Sequence, residues 1–194
     1  MFGKTTVAGP GRKKRNALAR RVGVLVSAVA LAATTAFTGA TSATAAGYFE
    51  APYPAGESYK VSQGNGGGYS HTDAYNRYAW DLALPANYEV SATQGGTIVI
   101  SNWSPYWQNG IEVIIRHPNG QCTQYAHLNQ SFYEPGNWVP QGRIIGYTGM
   151  TGAASAPHLH YSVIDCNTRV SLPSTIEGYV PATGSWVRSS NTRA

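Results

Sequence analysis

The sequence predicts a single, mainly β domain of antiparallel sheets, packed as a sandwich or a partly rolled barrel, with few or no helices. Three observations carry this expectation. The chain's 194 residues suit one domain, and its 42% hydrophobic content is enough for a packed core. Beyond residue 45, short apolar runs alternate with clusters of Gly, Asn, Pro and Ser at the spacing of an all-β chain. No segment there shows the apolar period of an amphipathic helix, and neither an internal repeat nor a heptad is present.

In chain order, residues 1–45 read as a secretory signal. Lys4, Arg12, Lys13, Lys14, Arg15, Arg20 and Arg21 precede an alanine-rich apolar run from Val22 to Ala40, and Ala43, Thr44 and Ala45 fit an A-x-A cleavage site. A membrane anchor is the alternative, but the run is rich in Ala, Thr and Gly and has no basic stop-transfer flank. Ala19 and Gly23 around the Arg20 and Arg21 pair fit a twin-arginine signal poorly, so the general export route is expected. Cleavage takes away seven of the 14 basic residues and none of the nine acidic ones, which changes the formal net charge from +5 to −2. A nucleic-acid partner then loses its electrostatic basis. The mature chain is expected to be secreted, monomeric and without a stable membrane anchor.

Residues 46–70, ending in QGNGGGYS, read as a lead-in segment that wraps the domain and approaches His71 flexibly. The main domain is expected over 71–194. Strands are predicted at 78–84 (YAWDLAL), 96–101 (GTIVIS), 111–117 (IEVIIRH), 121–128 (QCTQYAHL), 143–148 (RIIGYT) and 158–164 (HLHYSVI). Pro118, Asn119 and Gly120 make a hairpin of the third and fourth, since Asn and Gly supply the positive φ a tight turn needs. The tail from Asn167 to Ala194 resembles the lead-in in texture, with Trp186 expected to dock it on the core.

Five histidines remain to be explained. In SAPHLHYSVID, His158 and His160 lie two residues apart on a strand, so they share a face with about 6.7 Å between their backbones. An isolated H-x-H is more often two ordinary surface or core histidines. Here GGGYSH ends at His71, YAHL contains His127, and Asp81 interrupts an apolar strand between Trp80 and Leu82. A buried carboxylate is costly unless something positive pairs with it, and a metal cation would serve. Two imidazoles and one carboxylate with a fourth position open to water is the ligand count of a catalytic zinc site. Five candidates exceed that count, and the surplus pair suits acid and base chemistry beside the metal. The facial triad of non-haem iron oxygenases uses the same ligand types but leaves His127 and His158 unexplained. A serine hydrolase finds no support, because G-x-S-x-G is absent.

Together, GGGYSH, YAWDLALP, YAHL, VPQGRIIGYTGMTG and SAPHLHYSV resemble the lysostaphin-like and β-lytic zinc metalloendopeptidases, which cut peptides of bacterial cell-wall peptidoglycan. The likeness runs over 71–165. It implies a cell-wall-associated Zn2+ endopeptidase acting on peptidoglycan peptides at glycyl or D-alanyl bonds. His71, Asp81 and His160 would be the zinc ligands, and His127 and His158 the catalytic pair, with acid and base not assigned between them. His117, in RHPNG, matches no functional position and reads as a hairpin residue. The chain departs from many members at TDAYNRYAW, where nine residues rather than three separate His71 from Asp81 and leave Asp73 as a competing carboxylate. The alternative is a catalytically inactive peptidoglycan-binding or hydrolase-activating module; such relatives have typically lost ligands, whereas all five positions are present here. Trp103, Tyr106 and Trp107 are read either as a groove wall or as a loop over the core. Tyr69 and Tyr125 are candidate donors to an oxyanion.

Cys122 and Cys166 are expected to form a disulfide, since an exported chain sits where one persists. Strand alternation turns Cys122 away from His127 but Cys166 toward the face of His160, a conflict that an end or bulge of the last strand near Asp165 would remove.

Overall fold

The computed structural model describes residues 48–193; the predicted signal at 1–45 lies outside them. Ten strands form one antiparallel sheet. They are β1 (Ser58–Gln63), β2 (Trp80–Leu82), β3 (Glu89–Ser91), β4 (Gly96–Trp103), β5 (Ile111–Arg116), β6 (Gln121–Ser131), β7 (Trp138–Val139), β8 (Ile144–Thr148), β9 (Leu159–Asp165) and β10 (Trp186–Arg188). Among the described residues the only helical element is a 3-10 turn at Trp107–Asn109, and no helix is long and apolar enough to cross a membrane.

The sheet runs β10-β1-β2-β9-β6-β5-β4-β7, with β8 on the second half of β6 and β3 outside β8. It does not close. It does roll, because Val187 near one end and Val139 near the other belong to a single buried cluster with Trp80, Leu128, Ile145 and Tyr161. All six predicted strands form, several with shifted ends. Alternation explains their two faces: Leu159, Tyr161 and Val163 of β9 enter this core while His160 and Ser162 point to the other side.

The lead-in and the tail are more than wrapping. The lead-in supplies β1, which pairs with β2, and the tail supplies β10, which pairs with β1. Trp186 does not dock the tail: it is 65% exposed, and its neighbour Val187 fills the core instead. Odd and even positions of a three-residue strand go to opposite faces, and the smaller β-branched side chain took the inner one. His117 does sit in the β5 to β6 hairpin, its amide donating to the Gln121 carbonyl and its carbonyl accepting from the Gly120 amide. It is buried, with Nδ1 3.0 Å from the Gly95 carbonyl and Nε2 2.8 Å from Thr123 Oγ1.

The strand β6 departs from regular alternation at His127, which has φ 62°. From Tyr125 to Leu128 the strand advances three residues while its partner β5 advances two, from Val113 to Ile111. This is a β-bulge, and its extra residue lets Ala126 and His127 both turn away from the core while Tyr125 and Leu128 stay in it. On the far edge, β9 pairs with Gln121 to Ala126 and β8 with Leu128 to Ser131. The chain leaves the sheet between them, over 149–157, opposite the bulge, and a Gly149 to His158 bridge closes the neck of that excursion.

The bulge also resolves the cysteine conflict, by a route other than the predicted one. Cys122 lies on the site side because alternation is reversed at His127, and it bonds Cys166 beside Ile114 and Ile164 in a small second cluster. Its loop of 44 residues corresponds to about 4 kcal/mol in the chain-entropy estimate. Cys122→Ser paired with Cys166→Ser is therefore expected to lower unfolding free energy by up to about 4 kcal/mol, read by urea denaturation. Thiol titration of unfolded, unreduced parent should find no free thiol.

Burial lowers the pKa of His117, with the Gly95 carbonyl opposing the shift. The folded protein therefore binds fewer protons there than the unfolded chain, whose histidine titrates near about 6.5. This stabilisation is complete above that value and is lost as pH falls below it toward the depressed folded pKa. Melting scans between pH 7.5 and 5 should show a shallower loss of stability in His117→Gln than in the parent.

Candidate metal centre and groove

Three neighbouring strands build the floor of the site. Asp81 of β2 stands directly across from His160 of β9, which stands across from Ala126 of β6, and the bulge adds His127 to that row. His158 lies immediately before β9, two residues from His160, and so shares its face. His71 arrives from the loop between β1 and β2, fully buried.

Their nitrogens converge on one carboxylate oxygen. Asp81 Oδ1 is 2.9 Å from His160 Nδ1, 3.3 Å from His71 Nε2 and 3.7 Å from His158 Nε2. The other oxygen, Oδ2, accepts from Gln63 Nε2 at 3.2 Å. Ring centroids are 5.2 Å apart for His71 and His160, 4.7 Å for His127 and His158, and 5.8 Å for His127 and His160.

Backbone carbonyls orient three of the rings. Nδ1 of His71 faces the Gly64 carbonyl at 3.0 Å, that of His127 the Thr151 carbonyl at 2.9 Å, and that of His158 the Ala156 carbonyl at 2.9 Å. A carbonyl only accepts, so each Nδ1 carries its proton and each neutral ring offers the Nε2 lone pair. His71 Nε2 is buried without a hydrogen-bond partner. A lone pair aimed at a carboxylate needs a proton or a cation between them.

The donor set fits a metal ion. Ligand atoms of His71, Asp81 and His160 all lie within 4.8 Å of one another. Two ligands of a tetrahedral zinc, each at about 2.0–2.1 Å, stand about 3.3 Å apart, which matches the His71 to Asp81 separation. Three ligands leave a fourth position, and the histidine anchors on carbonyls are the outer-shell arrangement expected of metal ligands.

Electrostatics separate the groups. Burial acts to raise the pKa of Asp81, but the His160 hydrogen bond and the nearness of the His71 imidazole hold it well below the usual carboxylate range. Burial acts to lower that of His71, and Asp81 outweighs it, so the net shift is upward. Burial, with the like charges of His160 and His158, pushes His127 down to about 4. His127 is thus neutral and proton-accepting at neutral pH.

The cluster floors an open groove of about 740 Å³ whose rim includes Tyr69, Thr72, Gln108 and Pro157. A side pocket of about 330 Å³ shares Asp73, Asn76, Gln108 and Asn109 with it and reaches Gln124 and Arg169. Asp73 is exposed and spends its carboxylate on the Tyr75 and Asn76 amides, apart from the three clustered ligands. Tyr125 is fully buried among Thr93 and Thr123 in the core, on the wrong face to reach the groove, whereas Tyr69 is 86% exposed at its rim. Trp103, Tyr106 and Trp107 are all exposed, so the insertion does not cap the core; Tyr106 lines the side pocket and lies 5.0 Å from the Arg169 guanidinium.

Sequence reasoning missed the supports. Glu112, fully buried opposite the bulge, accepts from Asn109 at 3.0 Å, Gln124 at 2.7 Å and Arg169. Thr151 Oγ1 accepts from the Ile111 amide at 2.9 Å and donates to the Leu128 carbonyl at 2.7 Å, fixing the carbonyl that orients His127. No spacing rule marks such residues; only the folded contacts do.

A family model described as Peptidase family M23 matches residues 75–172. The chain belongs to peptidase family M23. The matched span holds Asp81, His127, His158 and His160 but begins after His71. Peptidoglycan DD-endopeptidase ShyA of Vibrio cholerae is 37% identical over 84 residues, 43% of this chain and 19% of that protein. Lysostaphin of Staphylococcus simulans is 32% identical over 115 residues, 59% of this chain and 20% of that protein. The match thus spans about a fifth of the length of these relatives. Among solved structures, the deep-sea M23 metalloprotease pseudoalterin aligns with TM-score 0.55 and 20% identity over 72% of this chain and 83% of that one. The catalytic domain of the prophage-encoded M23 protein EnpA of Enterococcus faecalis aligns with TM-score 0.54 and 22% identity over 64% and 95%. These last two likenesses bear on the fold.

The groove wall depends on close packing between two loops. Gly110, at φ 64°, leaves no room for a side chain: a Cβ there would lie 2.3 Å from Thr151 Oγ1. Gly110→Ala is expected to cost more than about 1 kcal/mol in urea denaturation, from the backbone strain and the displaced Thr151 together.

Proposed function

We propose that the chain is a zinc endopeptidase, exported by its N-terminal segment, that cleaves glycyl or D-alanyl peptide bonds of bacterial cell-wall peptidoglycan as a monomer. One observation carries the reading: three imidazole nitrogens converge on a single oxygen of a buried carboxylate, with a fourth histidine beside them, at the floor of an open groove. Relatives that include DD-endopeptidases and a glycyl-glycine endopeptidase support the substrate class. Side-chain amides of Gln108, Asn109 and Asn76 along the groove suit hydrogen bonding to an extended peptide.

His71 Nε2, Asp81 Oδ1 and His160 Nδ1 would hold the ion. Zinc bound there supplies Lewis-acid polarisation of a carbonyl and brings the pKa of water near neutrality. His127 presents Nε2 as proton acceptor to a water attacking the scissile carbonyl, its tautomer held by Thr151. The proton that His127 takes from this water can pass to the departing amine, from His127 itself or by way of His158, whose Nε2 lone pair faces the same space from the other side of the pair. The pH dependence follows from the role of His127. His127, depressed to about 4, remains a base through neutral pH, and turnover is lost as pH falls and it becomes protonated.

Purified cell walls should clear with the mature protein, stop clearing with chelator and clear again on adding zinc. Clearing that persists in chelator overturns the zinc reading, and mass spectrometry of released fragments reads the bond. His160→Ala and Asp81→Ala are expected to lose metal and activity together. His127→Ala and His158→Ala are expected to keep stoichiometric zinc by elemental analysis while losing at least about 10²-fold in turnover. Loss of metal in His158→Ala but not in His160→Ala would reverse the two assignments.

A further inference from the structure

We propose that Gln63, the last residue of β1, is a positioning residue for the metal centre that presents Asp81 through one carboxylate oxygen only. The inference rests on the metal-site reading above and adds to it a residue outside the matched 75–172 span.

Gln63 stands across from Asp81 in the β1 to β2 register, which brings its side chain to the carboxylate. Its Nε2 donates to Asp81 Oδ2 at 3.2 Å and to Ser70 Oγ at 2.6 Å, and its Oε1 accepts from the Tyr69 amide at 3.2 Å. Both amide protons and the amide oxygen are therefore engaged. One oxygen of Asp81 is tied to β1, and the other faces His71, His158 and His160. The same amide pins the loop that delivers His71, and this loop lies so close on it that a Cβ at Gly67 would sit 2.4 Å from Gln63 Cγ.

The following residue completes the device. The Gly64 carbonyl accepts from His71 Nδ1, and the Gly64 amide donates to Thr183 Oγ1 at 2.8 Å, so the C-terminal tail braces the same point. Two consecutive residues thus set the rotamer of one proposed ligand and the tautomer of another. Outer-shell partners of this kind are worth roughly 10- to 100-fold in metal affinity.

The test is zinc affinity of the mature protein, by competition with a chromophoric chelator, beside the thermal midpoint of the metal-free protein. Gln63→Leu is expected to bind zinc 10- to 100-fold more weakly while the metal-free midpoint stays near that of the parent. Gln63→Glu, which keeps the shape but replaces the donor with an acceptor against Oδ2, is expected to lose at least as much. Gly67→Ala keeps Gln63 yet displaces its amide, so a weakening in the same direction is expected. Parent-like affinity in Gln63→Leu and Gln63→Glu overturns the inference alone. A parent that takes up no zinc overturns it together with the metal-site reading.

Discussion

One extra residue in β6 governs how this sheet serves two purposes at once. A strand with strict alternation would send His127 into the core beside Tyr125, because the two lie two residues apart. The bulge at His127 lets Ala126 and His127 both lie on the side of the site and returns Leu128 to the core. A non-glycine residue at φ 62° carries a conformational cost, and it persists because its surroundings hold it. Thr151 clamps the ring from one side and ties itself to Ile111 and Leu128, while Glu112 gathers Asn109, Gln124 and Arg169 opposite. The excursion at 149–157 leaves the sheet at this same point, so the bulge also decides where the groove acquires its wall.

The second constraint is electrostatic. Asp81 is drawn off solvent among four histidines, and an unpaired carboxylate in such a place is unfavourable. Carbonyl partners lock protons on the far nitrogens of His71, His127 and His158, so the near nitrogens arrive as lone pairs. The arrangement is one that a divalent cation relieves. One residue type thus sits in two electrostatic settings, divided by neighbours rather than by identity: His71 is drawn upward by the carboxylate, and His127 is pushed down by burial and by the other imidazoles.

Segments outside the matched family span contribute more than closure of the sheet edge. The strands β1 and β10, from the lead-in and the tail, continue the sheet beyond β2, and the backbone around Gly64 rests on Thr183. Trp80 Nε1 also donates to the Pro181 carbonyl, so the tail reaches the core directly beneath the site. The long connection between His71 and Asp81 has a structural use as well. Asp73 caps its turn, and Asp73, Tyr75 and Asn76 form one wall of the side pocket, giving the chain a recess beside the groove.

The sequence by itself determined the all-β class and the six main strands, and it singled out the five polar residues that the structure gathers at one groove, because each rests on local information: period, turn chemistry or a run of matching motifs; the disulfide it left in conflict with strand alternation. His158 and His160 needed nothing beyond alternation to share a face. Only the tertiary structure decided what depends on contacts distant in the chain. The strands β3, β7 and β10 are only two or three residues long, and they, like β1, form where neighbours offer unpaired edges, so period has little to say about them. Trp186 turned outward and Val187 inward because one face of β10 was already claimed by the core. His117 became a buried, hydrogen-bonded group through Gly95 and Thr123, which no hairpin rule foretells. The face of His127, and with it that of Cys122, turned on a bulge, since one inserted residue reverses every inference drawn from a period of two.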